Sequence, residues 1–420
     1  MWPRFHVHGR LDVQPSATSV DRAAIDAFVS AVGRDVWRAR LRALQAAAGA
    51  QTHAGRQCLQ RHCIELTLER LRAQALARPA SAAERCIAGY AADAVARLDT
   101  VAVRGRDGLL GVYRAGLVGN ETLVGPFHLL RTAGLQAARG YEVQFAGLED
   151  GAPFDLLIAN ETVEAEVACD VISAEDGRGV HRGAWFDLVD RVDPELQTWL
   201  RAHPGRYLLK MTLPQGLKMG PQGSKSDDGT GLLGVLHERI TAMLAGPNRT
   251  DGDAAAMLRL DPLMLNAAQA DELGLMPRLR REFGPEAHLS VTAAGGGVFV
   301  MAARAGQENE VAGAVRRRLD AIAPARLTGT RPGILAVFIE DTDRVEWRLL
   351  REQMLLEGET RHFLTHPEAR SVVAVTCVSR LELFGLTGPD TAPDGELRFR
   401  NPAHPAAKLP GLAAAVASSS

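Results

Sequence analysis

Apolar residues recur at three- and four-residue spacing through the first hundred positions, as in Ile25, Phe28, Val29, Val32 and Val36 and again in Cys63, Leu66, Leu68 and Leu71. That period lays one apolar stripe along a helix, so residues 1–125 read as a mainly helical domain. From Pro126 the pattern shortens. Phe127–Arg139 reads as a helix closed by Gly140, a residue that turns left-handed at little cost. Tyr141–Ala146, Phe154–Ala159 and Thr162–Ser173 read as strands, and Gly147–Gly151 as a turn. A second helix is predicted from His181 or Arg182 to Ala202, and a fourth strand over Tyr207–Leu213. The order is helix, three strands, helix, strand, within an α/β core assigned to residues 126–250.

After the long Gly-, Ser- and Lys-containing loop Pro214–Gly231, the alternation continues over a second α/β segment, residues 251–402. Helices are expected at Leu232–Leu244, Glu308–Ile322 and Arg344–Leu356, and strands at Ala255–Leu260, His288–Ala303, Ile334–Glu340 and Val372–Val378. Residues 403–420 lack periodicity and read as a disordered tail.

Composition narrows the class. Hydrophobic residues make up 46% of the 420 positions and charged residues 23%, which excludes bulk disorder and fibrous repeats. The formal charge of -2 gives no overall electrostatic footprint for nucleic acid or an anionic membrane, so any such surface must be local. Charged residues interrupt every apolar run short of the ~20 residues that a membrane span needs, so no membrane partner is expected. No secretory leader is readable at Met1–His8, and five cysteines without a framework spacing fit reduced thiols, so a cytoplasmic protein is expected.

One segment carries chemistry. With Asn160-Glu161 as a two-residue hairpin loop, Asp155 sits opposite Glu166 and Leu157 opposite Glu164. Alternation then places Asp155, Glu164, Glu166, Ala168 and Asp170 on one face, and Phe154, Leu156, Ile158, Val163, Ala165, Val167, Cys169 and Val171 on the other. Cross-strand neighbours lie about 4.5–5.5 Å apart, and opposed like charges destabilise the pair. Such a row is either a solvated acidic face or a site where a divalent cation, Mg²⁺ first, compensates the crowding.

The order of elements, with Pro153-Phe154-Asp155 on the second strand and Glu164-Ala165-Glu166-Val167-Ala168 on the third, resembles the core of the PD-(D/E)xK nuclease superfamily. The resemblance covers about residues 126–213. It implies that Asp155 and Glu166 hold Mg²⁺, with Asp170 or Glu164 assisting or binding a second ion, and that a lysine two residues after the Glu activates water. That position is Ala168, or Glu166 if Glu164 is the motif acid. Lys210, the single cation of an otherwise apolar predicted strand, is the candidate replacement. The implied reaction is metal-assisted phosphodiester hydrolysis, with catalytic Asp155, Glu164, Glu166 and Lys210. Arg178, His181 and Arg182 would contact phosphate of a nucleic-acid partner.

The alternative function is a non-catalytic scaffold that uses the same fold to bind protein or nucleic acid. The two separate on one geometric point: an active site needs Lys210 or another cation to complete the Asp155 and Glu166 cluster, whereas a scaffold leaves those acids solvated or paired with arginine. Weaker signals read as structural. Gly220–Ser226 lacks the Gly before Lys of a phosphate-cradling loop. His53, Cys58, His62 and Cys63 have no second pair at zinc-finger spacing. Gly295-Gly296-Gly297 reads as a hairpin turn, and Glu340-Asp341-Thr342-Asp343 as a helix cap.

Overall fold

A computed structural model of the chain describes residues 20–48, 52–73, 78–218, 231–263, 272–284 and 287–419. Gly220–Ser226 lies outside the described residues. The chain folds as a mixed α/β protein divided into two units, one built from the described residues up to Ala46, Arg61–Ser173 and Val315 onward, the other from Ala47–Gln60 and Ala174–Ala314. The units therefore do not follow the expected boundaries near residues 125 and 250. Most of the second unit, Ala174–Ala314, is inserted within the sequence of the first, whose sheet takes strands from both sides of the insertion, whereas the second sheet is built from residues 206–305 alone.

In the first unit, helices Arg22–Val32, Cys63–Ala73, Ala82–Thr100 and Val103–Ala115 form as the apolar period predicts. Ser81 and Glu84 close a reciprocal capping box at the start of Ala82–Thr100. The six-stranded sheet runs β1 (Glu142–Gln144), β2 (Leu156–Ala159), β3 (Glu164–Ser173), β9 (Gly333–Glu340), β10 (Val372–Val378) and β11 (Leu397–Arg400), in that spatial order. β3, β9 and β10 run parallel, and every residue of β9 and β10 is buried, the near-continuous apolar run expected of strands covered on both faces. One face packs Leu156, Ile158, Ala165, Val167, Ile334 and Phe338 into a core shared with Phe28, Phe127 and Tyr113.

Two expectations fail in this unit. The single helix expected over Arg344–Leu356 is two, Arg344–Glu352 and Leu355–Phe363, separated by Met354 in a left-handed conformation at φ 54°. Residues 403–419, read as a disordered tail, are folded: Ala406, Ala407, Leu412, Ala415 and Val416 enter the core, and the Ser418 and Ser419 hydroxyls accept from the Arg400 and Arg398 N–H groups. Small side chains packed into a crowded site leave no helical or strand period in the sequence.

In the second unit the sheet order is β5 (Thr250–Gly252), β6 (Met257–Pro262), β4 (Arg206–Leu213), β8 (Gly297–Ala305) and β7 (His288–Ala294). Helices Arg182–Ala202 and Leu232–Ala245 cover one face through Trp185, Leu188, Leu196, Leu236 and Ile240. The Glu272–Phe283 helix covers the other through Leu275 and Leu279. Gly295 and Gly296, at φ 57° and 77°, make the two-residue turn between β7 and β8. A Cβ on Gly295 would also lie 2.8 Å from the Arg201 backbone.

The position of β4 corrects the expected core. Tyr207–Leu213 does form a strand after the Arg182–Ala202 helix, but it joins the second sheet, antiparallel to β6 and parallel to β8. Periodicity specifies which residues share a face; it does not specify which sheet a strand joins.

Candidate functional site

The hairpin that carries the acids has a wider loop than expected. The Asn160 carboxamide oxygen accepts from the Thr162 and Val163 N–H groups at 3.0 and 3.1 Å, and the Asn160 N–H donates to Val163 O at 3.0 Å. This side-chain-closed turn spans Asn160–Val163 rather than Asn160-Glu161 alone. The register moves by two accordingly: Leu157 pairs with Glu166 and Ala159 with Glu164, so Asp155 is not the partner of Glu166. A two-residue shift preserves the faces, and the apolar side of the hairpin is the expected one.

The acidic side is not crowded around a common point, and only Glu164, 52% exposed, faces solvent. Asp170, Asp155 and Glu164 each meet a separate guanidinium from the Val311–Arg326 helix or the loop after it, while Glu166 is held mainly by Thr328 of that loop. Arg318 holds Asp170 through two contacts at 2.6 and 3.2 Å. Arg326 donates to Asp155 at 2.7 Å. Arg331 pairs with Glu164 at 2.8 Å and lies 3.8 Å from Glu166. Glu166 has a side chain with 0% exposure, and its carboxylate accepts from the Thr328 N–H at 2.8 Å and from the Thr328 hydroxyl. Asp155 also accepts from the Cys169 N–H at 2.6 Å. Burial pushes the Asp155 carboxyl above its ordinary range, Arg326 draws it back and Asp170 pushes it further up. Among the described residues these acids do not bring three ligand atoms within 4.8 Å of one another.

The expected catalytic cation is in the other sheet. Lys210 lies on β4, its side chain 45% exposed, 3.9 Å from Asp261 and 5.7 Å from the Phe283 ring centroid. Its ammonium reaches solvent along an apolar stem, which is how a strand keeps a lysine without burying its charge.

The predicted phosphate-contacting residues also lie in the second unit. Arg178 is buried and ion-paired with Glu175, whose other oxygen accepts from the Arg182 N–H at 2.8 Å. His181 precedes the Arg182–Ala202 helix, and burial followed by Lys218 holds its imidazole below the usual range. Glu175 thus organises the start of that helix. The His53, Cys58, His62 and Cys63 stretch is divided between the units: His53 stacks on Phe186 and bonds Asp190 at 3.0 Å, while His62 is buried beside Arg40 at 2.8 Å. None of the five cysteines forms a disulfide.

A second polar cluster, missed by sequence reasoning, sits at the carboxyl ends of the parallel strands β3, β9 and β10. Ser173, the last residue of β3, donates to Asp341 at 2.8 Å. Glu340, the buried last residue of β9, lies 3.4 Å from Arg61 and 3.5 Å from Arg380, and Asp341 lies 3.4 Å from Arg61. Burial pushes the Glu340 carboxyl up, while Arg61 draws it down. Asp341 takes a left-handed φ of 62°, a conformation that costs a non-glycine residue about 1–3 kcal/mol unless its surroundings enforce it. Asp343 caps the following helix as expected, accepting from the Glu346 N–H at 2.9 Å. The sequence signal was the doublet Glu340-Asp341 at the end of a fully apolar strand.

Among the described residues no helix is long and apolar enough to cross a membrane. The chain matches no family model and no curated protein, and no solved structure matches it.

Proposed function

We propose that the chain is a non-hydrolytic scaffold with a nuclease-like sheet, which binds a protein or nucleic-acid partner without cutting it. One observation carries the reading: Arg318, Arg326 and Arg331 each bind a carboxylate oxygen of Asp170, Asp155 and Glu164 that an Mg²⁺ ion would take. Mg²⁺ demands near-octahedral oxygens at about 2.0–2.1 Å, and a guanidinium bound to the same oxygens competes for that place. Recognition in this reading belongs to the carboxyl ends of β3, β9 and β10, where ligands of parallel sheets commonly sit and where Ser173, Glu340, Asp341, Arg61 and Arg380 gather.

A second reading, Mg²⁺-dependent phosphodiester hydrolysis, has its own support. With the Ala174–Ala314 unit set aside, the chain of the first unit runs helix Val124–Ala138, β1, β2, β3, helix Val311–Arg326 and β9, with β9 parallel and adjacent to β3. In that reading Asp155 and Glu166 hold the ion, Asp170 or Glu164 assists, and the ion displaces the arginines.

Incubation of the full chain with labelled DNA and RNA in Mg²⁺ or Mn²⁺ separates the two. Unchanged substrate, with Asp155→Asn indistinguishable from the parent, supports the scaffold. Metal-dependent cleavage that disappears in Asp155→Asn selects the nuclease. Fluorescence anisotropy with the same oligonucleotides at two salt concentrations then distinguishes a nucleic-acid partner, whose affinity falls steeply with salt, from a protein partner.

A further inference from the structure

On the helix that supplies Arg318 and Arg326 to the acidic hairpin, and in one turn downstream, two segments of the first unit bring mixed nitrogen and oxygen donors together. Asp320 lies on the Val311–Arg326 helix, His366 caps the short 3₁₀ turn Pro367–Ser371, and Glu368 stands in the first turn of that element. One ligand atom from each lies within 4.8 Å of the other two. No other group of His, Cys, Asp and Glu among the described residues does this.

We propose that Asp320, His366 and Glu368 bind one divalent transition-metal ion of the zinc class. The donor set points to that class: imidazole suits Zn²⁺ and its first-row neighbours, whereas Mg²⁺ and Ca²⁺ take oxygen alone. A tetrahedral ion bound at about 2.0–2.2 Å sets its ligand atoms roughly 3.4 Å apart. Asp320 Oδ1 and His366 Nδ1 are 2.8 Å apart, and the remaining separations do not exceed 4.8 Å. Shifts of about an ångström therefore reach coordination geometry. His366 binds through Nδ1 as the neutral imidazole with its proton on Nε2, so the Nδ1–Asp320 hydrogen bond is replaced by the ion. Three protein ligands leave the fourth position to water.

The local chain holds His366 ready. Its N–H donates to Phe363 O at 2.8 Å and its carbonyl accepts from the Ala369 N–H at 3.1 Å, while Pro367 fixes the next φ. The His362 ring packs edge-on against it with centroids 4.8 Å apart, so a second imidazole stands beside the site. Arg316 bridges Asp320 and Glu359, at 3.4 and 2.7 Å, and its pairing with Glu359 gives it a partner when Asp320 turns to the ion. The helix bearing Asp320 leads into β9 and the turn bearing Glu368 leads into β10, so the ion ties together the segments that feed two adjacent parallel strands. This site does not depend on whether the hairpin cleaves phosphodiesters.

The test uses the full chain, stripped with chelator and titrated with Zn²⁺ by calorimetry and with Co²⁺ by visible absorption. The expected result is one saturable ion, Co²⁺ ligand-field bands, a higher unfolding midpoint with metal, and a loss of at least about tenfold in affinity for Asp320→Asn, His366→Ala and Glu368→Gln. His237→Ala, in the second unit, should leave binding intact. Paramagnetic broadening of the His366 and His362 ring resonances by Co²⁺ in the unsubstituted chain reports the site even if a variant fails to fold. Absence of saturable binding, or Co²⁺ binding that leaves both rings unbroadened and survives Glu368→Gln, overturns the proposal.

Discussion

β3 and β4 are each flanked on both sides within a mixed sheet, each carries charge in an apolar setting, and they solve the same electrostatic problem in opposite ways. β3 meets Asp170 with Arg318, Glu164 with Arg331 and Glu166 with the Thr328 N–H and hydroxyl, and Asp155, just ahead of β2, is met by Arg326. β4 keeps a single lysine and lets it extend toward solvent over Phe283. The first arrangement makes charge part of the packing, so removing one partner strands the other in a low-dielectric site. The second makes charge nearly dispensable. A row of acids and a lysine, which a sequence presents as parts of one catalytic centre, can thus belong to two separate packing solutions.

The largest expected effect of a single substitution breaks the β3 arrangement at its deepest point. Glu166→Ala removes a carboxylate with no exposed surface and leaves the Thr328 N–H without its acceptor and a cavity beneath the sheet, and should cost about 2 kcal/mol by denaturant unfolding. A cost below 1 kcal/mol would mean that the acid is not embedded as described.

Acid should next expose a difference between the units. His128 is buried under β9 with Nε2 3.0 Å from Ala336 O, and burial pulls its pKa down to about 4; on β7, burial and then Arg178 and Arg182 pull His288 down to about 3. Both groups bind protons more weakly folded than unfolded, so stability is full above the ordinary histidine pKa of about 6.5 and falls as pH drops through that value. The His128 contribution, about 3 kcal/mol, should be lost by pH about 4, while the His288 contribution continues to fall to pH about 3. Unfolding of His128→Gln followed from pH 7 to 4 should show a flatter slope than the parent; an unchanged slope would remove His128 from the account.

Smaller effects grade the arginine pairs by exposure. Arg326→Ala should cost about 1–2 kcal/mol, because Asp155 is three-quarters covered, and Arg318→Ala about 1 kcal/mol, because Arg318 is half exposed. At the lower end, Lys210→Met should change stability by no more than about 0.5 kcal/mol, measured by the same unfolding transitions. A Lys210 effect larger than that of Arg326 would invert the comparison between the two strands.

Much of the local structure was legible. The helices near residues 22–115, β2, β3, β9 and β10 follow from periods of 3.6 and 2, and the apolar face of the hairpin survived a register error because the error was two residues rather than one. The error itself came from Asn160, whose side chain closes a wider turn than an Asn-Glu dipeptide suggests. What the sequence concealed was partnership at long range. Asp170, Asp155 and Glu164 meet arginines 148, 171 and 167 residues away, separations over which neither spacing nor composition carries information. The same holds for Asp320, whose histidine neighbour is 46 residues downstream in a turn without regular period.

Mn²⁺ titration of the full chain by electron paramagnetic resonance, with and without Asp155→Asn, probes the acids directly. If arginines fill their coordination sites, the bound fraction is the same in both proteins, since any Mn²⁺ retained elsewhere is indifferent to Asp155. A bound population that Asp155→Asn abolishes would show that the hairpin carboxylates release their arginines to a metal, and the scaffold reading would fall.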